Sequence, residues 1–306
     1  MLTPLYAAFA GVLAILVCAS TVTAGLIRMN PQRNYRELRL RIQTWWWLAL
    51  LMLAALSLPT GYAMVIFGLV SFLAFKEFLT IAPTRRADHR VLLLAYLAIP
   101  VQYLWVGSAW YGMFIIFIPV YVFLLLPMRM VLIGETQGFL RAAGTIQWGL
   151  MTTVFSLSHM AYLLMLPARD GVSGAMLVFY LVVLTQLNDV AQYLWGKACG
   201  KRQAAPKVSP GKTLEGVLGG MATTTLLACL LAPWLTPMTL LHAALAGLLI
   251  SLFGFIGDIV VSAVKRDIGV KDSGTLLPGH GGILDRIDSL TYTAPLFFHY
   301  IYYLYY

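Results

Sequence analysis

Acidic residues in the last fifth of the chain have a spacing that suits metal binding. Four polar side chains fall at i, i+4, i+7 and i+8 of one apolar segment, and so on one helical face: Asp258, Ser262, Lys265 and Arg266. Asp285 and Asp288 stand three residues apart and share a face of the next helix. Carboxylates without a Cys or His cluster form an oxygen-only site, which suits Mg²⁺. We therefore predict Asp258, Asp285 and Asp288 as metal ligands.

Cations and a glycine-rich loop accompany these acids, and both suit a polyphosphate ligand. We expect Lys265 and Arg266 to act in catalysis beside the three acids. The candidates for substrate binding in this region are Ser262, Lys271, Asp272, His280, Gly281, Gly282 and Arg286. A lone His is usually structural, but His280 lies among glycines, so a structural role and a contact with a ligand are equally open.

Further polar candidates lie in an earlier loop, 196–213, and in the apolar segment before it. Ser209 and Lys212 stand among Gly and Pro residues and are predicted to bind substrate. The loop is not a P-loop, because Pro206 stands where the first glycine of that motif belongs. Two alternatives stay open for this loop: it binds phosphate in another way, or its positive charges only set the membrane topology. Asp189 lies within an apolar segment, where a carboxylate is costly enough to indicate substrate binding.

The composition identifies the elements that must position these residues. Of 306 residues, 60% are hydrophobic and 11% charged, whereas soluble domains have about 25% charged residues. This excludes a soluble, disordered or disulfide-stapled protein. We predict an all-α, polytopic membrane helix bundle of 9–10 helices. The predicted spans are 5–27, 44–58, 62–81, 91–106, 111–127, 146–166, 175–195, 214–232, 241–264 and 289–304.

The positive charges follow one side of this predicted topology. Alternate loops hold 19 of the 21 Lys and Arg residues, so the positive-inside rule makes these loops cytoplasmic and both termini non-cytoplasmic. Topology also explains the net charge of +9 without nucleic acid. The N-terminus lacks the basic region of a signal peptide, so 5–27 is expected to be a retained span. The three cysteines show no paired spacing.

Chemistry is unevenly distributed along the chain. We predict an N-terminal membrane region, 1–145, without identified chemistry, and a catalytic membrane region, 146–306, with cytoplasmic loops 196–213 and 265–288. Lys76 and Glu77, near the end of the third span, are predicted either to reach the interface or to face a polar cavity.

Two motifs together resemble one enzyme family, the phosphatidate cytidylyltransferases. The longer motif runs from Ser262 to Asp288 through Lys265-Arg266, Lys271-Asp272-Ser273-Gly274, Pro278, His280-Gly281-Gly282 and Asp285-Arg286. The second is Ser209-Pro210-Gly211-Lys212-Thr213 followed by Glu215-Gly216. They span about 100 residues, and the long motif is highly specific.

The resemblance implies a reaction in which CTP and phosphatidate give CDP-diacylglycerol and pyrophosphate. It also implies Mg²⁺, which a second, monovalent cation can accompany, and a homodimer in the bilayer. The expected location is a bacterial cytoplasmic (inner) membrane, with the active site facing the cytoplasm. The acids at 258, 285 and 288 would hold metal, and cations of both loops would hold phosphates.

One departure from the family pattern concerns the lipid acceptor. Around Asp189 the family often has small residues and Ala-Tyr, but here Val190 and Gln192 differ while Tyr193 is kept. This indicates a paralogue that acts on phosphatidate or a closely related phospholipid phosphate. Two other interpretations stay open: a transporter of a phosphorylated solute or cation, and an inactive scaffolding paralogue.

Overall fold

The computed structural model describes residues 3–32, 34–85, 88–277, 279 and 281–306. Its first half is a series of helices joined by short connections. These helices are α1 (Thr3–Met29), α2 (Arg36–Ser57), α3 (Thr60–Ile81), α4 (His89–Gly107) and α5 (Tyr111–Val131). Helix α6 follows in three consecutive segments, Phe139–Leu150, Met151–Phe155 and Ser156–Leu163.

The second half carries the polar loops. Its elements are α7 (Gly174–Cys199), β1 (Gln203–Ala205), β2 (Ser209–Thr213), α8 (Leu214–Leu235), α9 (Leu240–Ile268), α10 (Leu284–Ile287) and α11 (Leu290–Tyr305). The strands β1 and β2 pair antiparallel as a small hairpin within the loop 196–213, which the sequence analysis did not predict. Helix α9 extends past Arg266, as the spacing of its polar residues requires.

Within the described residues, eight helices are long and apolar enough to cross a membrane, namely α1 to α5 and α7 to α9. The prediction of an all-α, polytopic membrane protein is therefore confirmed. The predicted spans 146–166 and 289–304 fall on α6 and α11. Helix α6 is divided into three segments, and α11 is a single helix of 16 residues, shorter than the eight others. The side on which the termini lie and the division at residue 145 stay predictions.

Two π-helical turns have local causes. The turn Phe117–Val122 within α5 contains Pro119, and proline removes one helical hydrogen bond and clashes with the preceding turn. In α6, the hydroxyls of Thr152 and Thr153 donate to the carbonyls of Trp148 and Gly149 at the start of the turn Met151–Phe155. Such side-chain bonds compete with regular helical pairing.

Helices α7, α8 and α9 form the close-packed unit that positions the polar residues. A Cβ added at Gly220 of α8 would lie 2.4 Å from Cγ of Gln192 on α7, so only glycine permits this approach. The buried Asn188 Oδ1 accepts hydrogen bonds from Thr224 of α8 at 3.1 Å and Ser251 of α9 at 2.6 Å. One amide thereby ties the three helices together next to Asp189.

Candidate active site

The predicted site residues surround a polar cavity of about 230 Å³. Eight side chains line it: Gln186, Asp189, Asp258, Lys265, Asp272, Asp285, Arg286 and Asp288. They come from α7, α9, α10 and the loops beside them. Five carboxylates against two lining cations leave an excess of negative charge. The cavity is therefore suited to cations and to ligands that bring cations with them.

Asp258 connects this cavity to the β-hairpin. Its Oδ2 lies 2.6 Å from Nζ of Lys212, which follows two residues after Pro210 in β2. Ser262, one turn later on α9, donates to Asp258 Oδ1 at 3.2 Å. Burial lowers the pKa of Lys212, but the charges of Asp258 and Asp189 outweigh burial and leave it above its ordinary value. Lys212 is thus a fixed cation held by the acids of the cavity.

Asp285 is held from both of its oxygens. Oδ1 accepts a hydrogen bond from Lys265 Nζ at 2.7 Å, and Oδ2 accepts from the backbone N–H groups of Ser273 and Gly282, each at 2.9 Å. Burial raises the pKa of Asp285, but the bonds from Lys265 and Gly282 outweigh it and hold the pKa below its usual value. The carboxylate is ionised, and three donors of the protein hold it in place.

Asp288 lies in the opposite electrostatic setting. It is 9% exposed, and its Oδ1 accepts a hydrogen bond from the N–H of Ser289 at 2.8 Å. Burial, followed by the charges of Asp258 and Asp189, raises its pKa well above the ordinary value. The hydroxyl of Ser289 donates to Asp189 at 3.1 Å, which places that carboxylate beside Asp288. Three carboxylates therefore crowd one side of the cavity.

The donor set of the crowded side fits Mg²⁺. In the described residues, no group of three or more His, Cys, Asp or Glu side chains is arranged to hold a metal ion. Mg²⁺, however, commonly takes one or two carboxylates and completes its coordination with waters and substrate phosphates. Asp258 and Asp288 supply that number, and a cation between them would relieve their repulsion. Asp285 is less suited because its oxygens already accept three hydrogen bonds.

The cations do not all face the cavity. Arg286 lines it, and its buried Nε has no hydrogen-bond partner among the described residues. Arg266 is exposed and donates to the carbonyl of Val270 at 3.1 Å, at the end of its own helix. Lys271 is exposed as well and does not line the cavity. Arg286 and Lys265 are thus the cations available to a ligand there.

The glycine-rich loop packs on acids of the site. Gly281 has φ +80°, and a Cβ there would lie 2.5 Å from Asp285 Oδ2. Gly282 donates its N–H to the same oxygen. The two glycines therefore shape the surroundings of Asp285. Ser209 pairs with Ala205 in the β-hairpin and does not line the cavity. His280 lies outside the described residues.

Sequence reasoning missed two residues of the site and left a third open. Gln186 lines the cavity three residues before Asp189, so helical spacing from that acid would have found it. Gln192 accepts a hydrogen bond from Lys212 Nζ at 3.4 Å. Of the pair left open near the end of the third span, Lys76 is exposed, whereas Glu77 bonds to residues 273, 283 and 284 beside the cavity.

A family comparison agrees with this geometry. The sequence profile of the cytidylyltransferase family matches residues 39–304. The chain belongs to the cytidylyltransferase family. It is accordingly a nucleotidyltransferase by family, with the polar cavity as its candidate active site. The match begins in α2 and includes the first half as well as the two motifs near the C-terminus.

Individual relatives confirm the resemblance drawn from the motifs. Uncharacterized protein YnbB of Escherichia coli (strain K12) is 49% identical over 290 residues, which is 95% of this chain and 96% of the relative. The phosphatidate cytidylyltransferase of Haemophilus influenzae is 42% identical over 140 residues, 44% of this chain and 48% of the relative. The phosphatidate cytidylyltransferase of Bacillus subtilis is 43% identical over 127 residues, which is 41% of this chain and 47% of the relative. The chain spans about half the length of these two cytidylyltransferases.

Proposed function

We propose that this protein transfers the cytidylyl group of CTP to phosphatidate or a closely related phospholipid phosphate, with release of pyrophosphate. The observation that carries the proposal is the cavity of five carboxylates with Lys265 and Arg286, built at the ends of membrane helices. Family membership supports CTP as the donor. The names of the matched relatives in Haemophilus influenzae and Bacillus subtilis support phosphatidate as the acceptor.

The reaction needs positioning more than it needs a base. A phosphate oxygen of the lipid, already an anion, attacks the α-phosphorus of CTP, and the bond to the β-phosphate oxygen breaks as pyrophosphate leaves. The main obstacles are the repulsion between two anions and the charge that develops on the leaving group. Fixed cations reduce both, which is the usual basis of phosphoryl-transfer catalysis.

Lys265 and Arg286 are the residues that would contact phosphates. An ammonium has three donors, and Lys265 uses one on Asp285 Oδ1, so two remain for phosphate oxygens. The buried Nε of Arg286 has no partner in the described structure, and a guanidinium matches the geometry of phosphate oxygens. Lys212, held by Asp258, would extend the positive charge along the β-hairpin.

Mg²⁺ is part of the proposal. Asp258 and Asp288 would hold it, with Asp189 beside them. When bound, it supplies positive charge that stabilises the transferring phosphates and the leaving pyrophosphate. The accompanying monovalent cation stays an expectation from the resemblance.

We also propose that the cavity opens to the cytoplasm and that the protein works as a homodimer in a bacterial inner membrane. The loop 265–288 lines the cavity, and the loop 196–213 contacts it through Lys212 on Asp258. Both loops belong to the set rich in Lys and Arg, which supports the cytoplasmic side. The dimer rests on the family resemblance.

Turnover of CTP by the purified protein tests the proposal. In mixed micelles with Mg²⁺ and CTP labelled at the α-phosphate, we expect label to enter the lipid phase, with one pyrophosphate released per lipid product. Phosphatidate and lysophosphatidate are compared as acceptors, and diacylglycerol, which has no phosphate, is the matched control. Label transfer that requires the lipid phosphate supports the proposal. No transfer to any phosphate-bearing lipid would contradict it.

A further inference from the structure

A carboxylate from the first half of the chain is bound to the loop that borders the cavity. Glu77 lies near the end of α3, about 200 positions before this loop. The backbone N–H groups of Ile283 and Leu284 donate to its carboxylate at 2.8 and 3.0 Å. The hydroxyl of Ser273 donates to Glu77 Oε1 as well. Three donors from both ends of one loop therefore converge on Glu77.

The loop is shaped to receive this side chain. A Cβ added at Gly282 would lie 1.8 Å from Glu77 Oε1, and one at Gly274 would lie 3.0 Å from Glu77 Cδ. Only a residue without a side chain permits the contact at position 282. The backbone of the loop thus lies directly against the carboxylate, with no room for an intervening group.

The same loop also donates hydrogen bonds to Asp285. Ser273 gives its hydroxyl to Glu77 and its N–H to Asp285 Oδ2. Gly282 gives its N–H to Asp285 Oδ2, while the next residue, Ile283, gives its N–H to Glu77. Adjacent donors are therefore divided between the two carboxylates. A shift of the loop on Glu77 would also move the donors that orient Asp285 and, through it, Lys265.

We propose that Glu77 is a positioning residue for the active-site loop 273–284. The proposal rests on the proposed function, since the loop orients the Asp285–Lys265 pair and leads into Arg286 at the cavity. A carboxylate is needed because all three partners are donors. The amide of a Gln would place its own N–H groups against backbone N–H groups and would leave one donor unpaired.

The test combines amide hydrogen exchange with steady-state kinetics on the full-length protein in micelles. The variants are Glu77→Gln, which keeps the shape and removes the charge, and Glu77→Asp, which keeps the charge on a shorter side chain. Ser273→Ala removes one of the three donors and keeps the N–H that Asp285 uses. Glu135→Gln is the matched control, since Glu135 is exposed in a loop and does not line the cavity.

For Glu77→Gln we expect the amides of Ile283 and Leu284 to exchange about tenfold faster, because each loses a carboxylate acceptor. We expect kcat per folded protein to fall about tenfold, with KM for CTP changed less than about threefold, because the loop orients groups that act in the transition state. Glu77→Asp and Ser273→Ala should change both quantities in the same direction by smaller factors. Glu135→Gln should change neither.

Two results would overturn the proposal. One is normal exchange of the loop in Glu77→Gln, and the other is fast exchange with a wild-type kcat, which would leave Glu77 a purely structural role. If Glu77→Gln does not fold, Glu77→Asp and Ser273→Ala decide by the same two readouts. A wild-type protein without CTP turnover would contradict the proposed function instead, and the exchange rates would still decide whether Glu77 holds the loop.

Discussion

Asp285 and Asp288 stand three residues apart and line the same cavity, but the structure surrounds them in opposite ways. Asp285 accepts three hydrogen bonds, one of them from the buried ammonium of Lys265. Asp288 lies next to Asp258 and Asp189, and burial together with their charges raises its pKa well above the usual value. One carboxylate is satisfied by the protein, and the other is repelled by its neighbours.

This difference indicates that the two sides of the cavity have different roles. The loop side, with Asp285, Lys265 and Glu77, has its charges neutralised or hydrogen-bonded within the chain and is suited to hold a fixed geometry. The helix side has three carboxylates, Asp258, Asp288 and Asp189, with one paired cation, Lys212. The excess of negative charge costs stability unless a further cation binds. Removing a carboxylate should therefore have opposite effects on stability on the two sides.

The largest expected effect is the loss of activity when a carboxylate of the helix side is removed. Asp288→Asn should lower kcat/KM for CTP at least about a hundredfold, a loss of about 2.7 kcal/mol of transition-state stabilisation. The reason is the loss of one of two carboxylates assigned to Mg²⁺. Initial rates over a series of Mg²⁺ concentrations measure this. Asp267→Asn, at an exposed position of α9, is the matched control, and equal rates in the two variants would contradict the assignment.

The next effect is on the stability of the loop side. Asp285→Asn should cost about 3 kcal/mol of unfolding free energy, because it leaves the charge of the buried Lys265 without its counter-ion. Lys265→Met should cost a similar amount, and the double variant should be more stable than the two losses added together. A double-mutant cycle in micelles should give a coupling energy of about 1–3 kcal/mol.

A double-mutant cycle on an exposed ion pair is the control for the Asp285–Lys265 cycle. Glu37 and Arg41 form an exposed pair, with side chains 72% and 55% exposed. Their cycle should give a coupling energy of at most about 0.5 kcal/mol, because water screens an exposed ion pair. Equal coupling in the two pairs would mean that the Asp285–Lys265 contact has no special role in the loop.

The smallest expected effect distinguishes two arginines, Arg266, which the sequence predicts to act in catalysis, and Arg286, which it predicts to bind substrate. Arg286→Gln should lower kcat/KM for CTP about tenfold, since its guanidinium lines the cavity and its buried Nε has no partner among the described residues. Arg266→Gln should change it at most about twofold, because that side chain bonds to Val270 at the end of α9. The same assay on both variants measures the difference. A larger loss at Arg266 than at Arg286 would restore Arg266 as the catalytic cation.

Much of the fold could be predicted from the sequence because apolar length and helical spacing are local properties. The short connections after Ser57 and Gly107 and the extension of α9 past Arg266 all appear in the structure. The π-helical turns and the hairpin of β1 and β2 were not predicted. They depend on a few side-chain and backbone bonds within segments whose composition does not distinguish them from their neighbours.

The site was predictable where its residues share an element. Relative to Asp258, Lys265 lies within about 20° around α9, whereas Arg266 is about 80° away, which explains why Lys265 lines the cavity and Arg266 does not. For Glu77 the sequence leaves two alternatives open, reaching the interface or facing a polar cavity, and names no partner. The partners of Glu77 at 273, 283 and 284 are 196 to 207 positions away, and no spacing rule relates such distant positions.

Thermal unfolding of the purified Asp288→Asn and Asp285→Asn variants, with and without Mg²⁺, tests the contrast between the two sides most directly. We predict that Asp288→Asn unfolds without Mg²⁺ at or above the wild-type temperature and gains little from the ion. Asp285→Asn should unfold at a lower temperature and keep most of the Mg²⁺-dependent gain. The reverse result, an Asp288→Asn protein less stable than Asp285→Asn and still stabilised by Mg²⁺, would contradict the account.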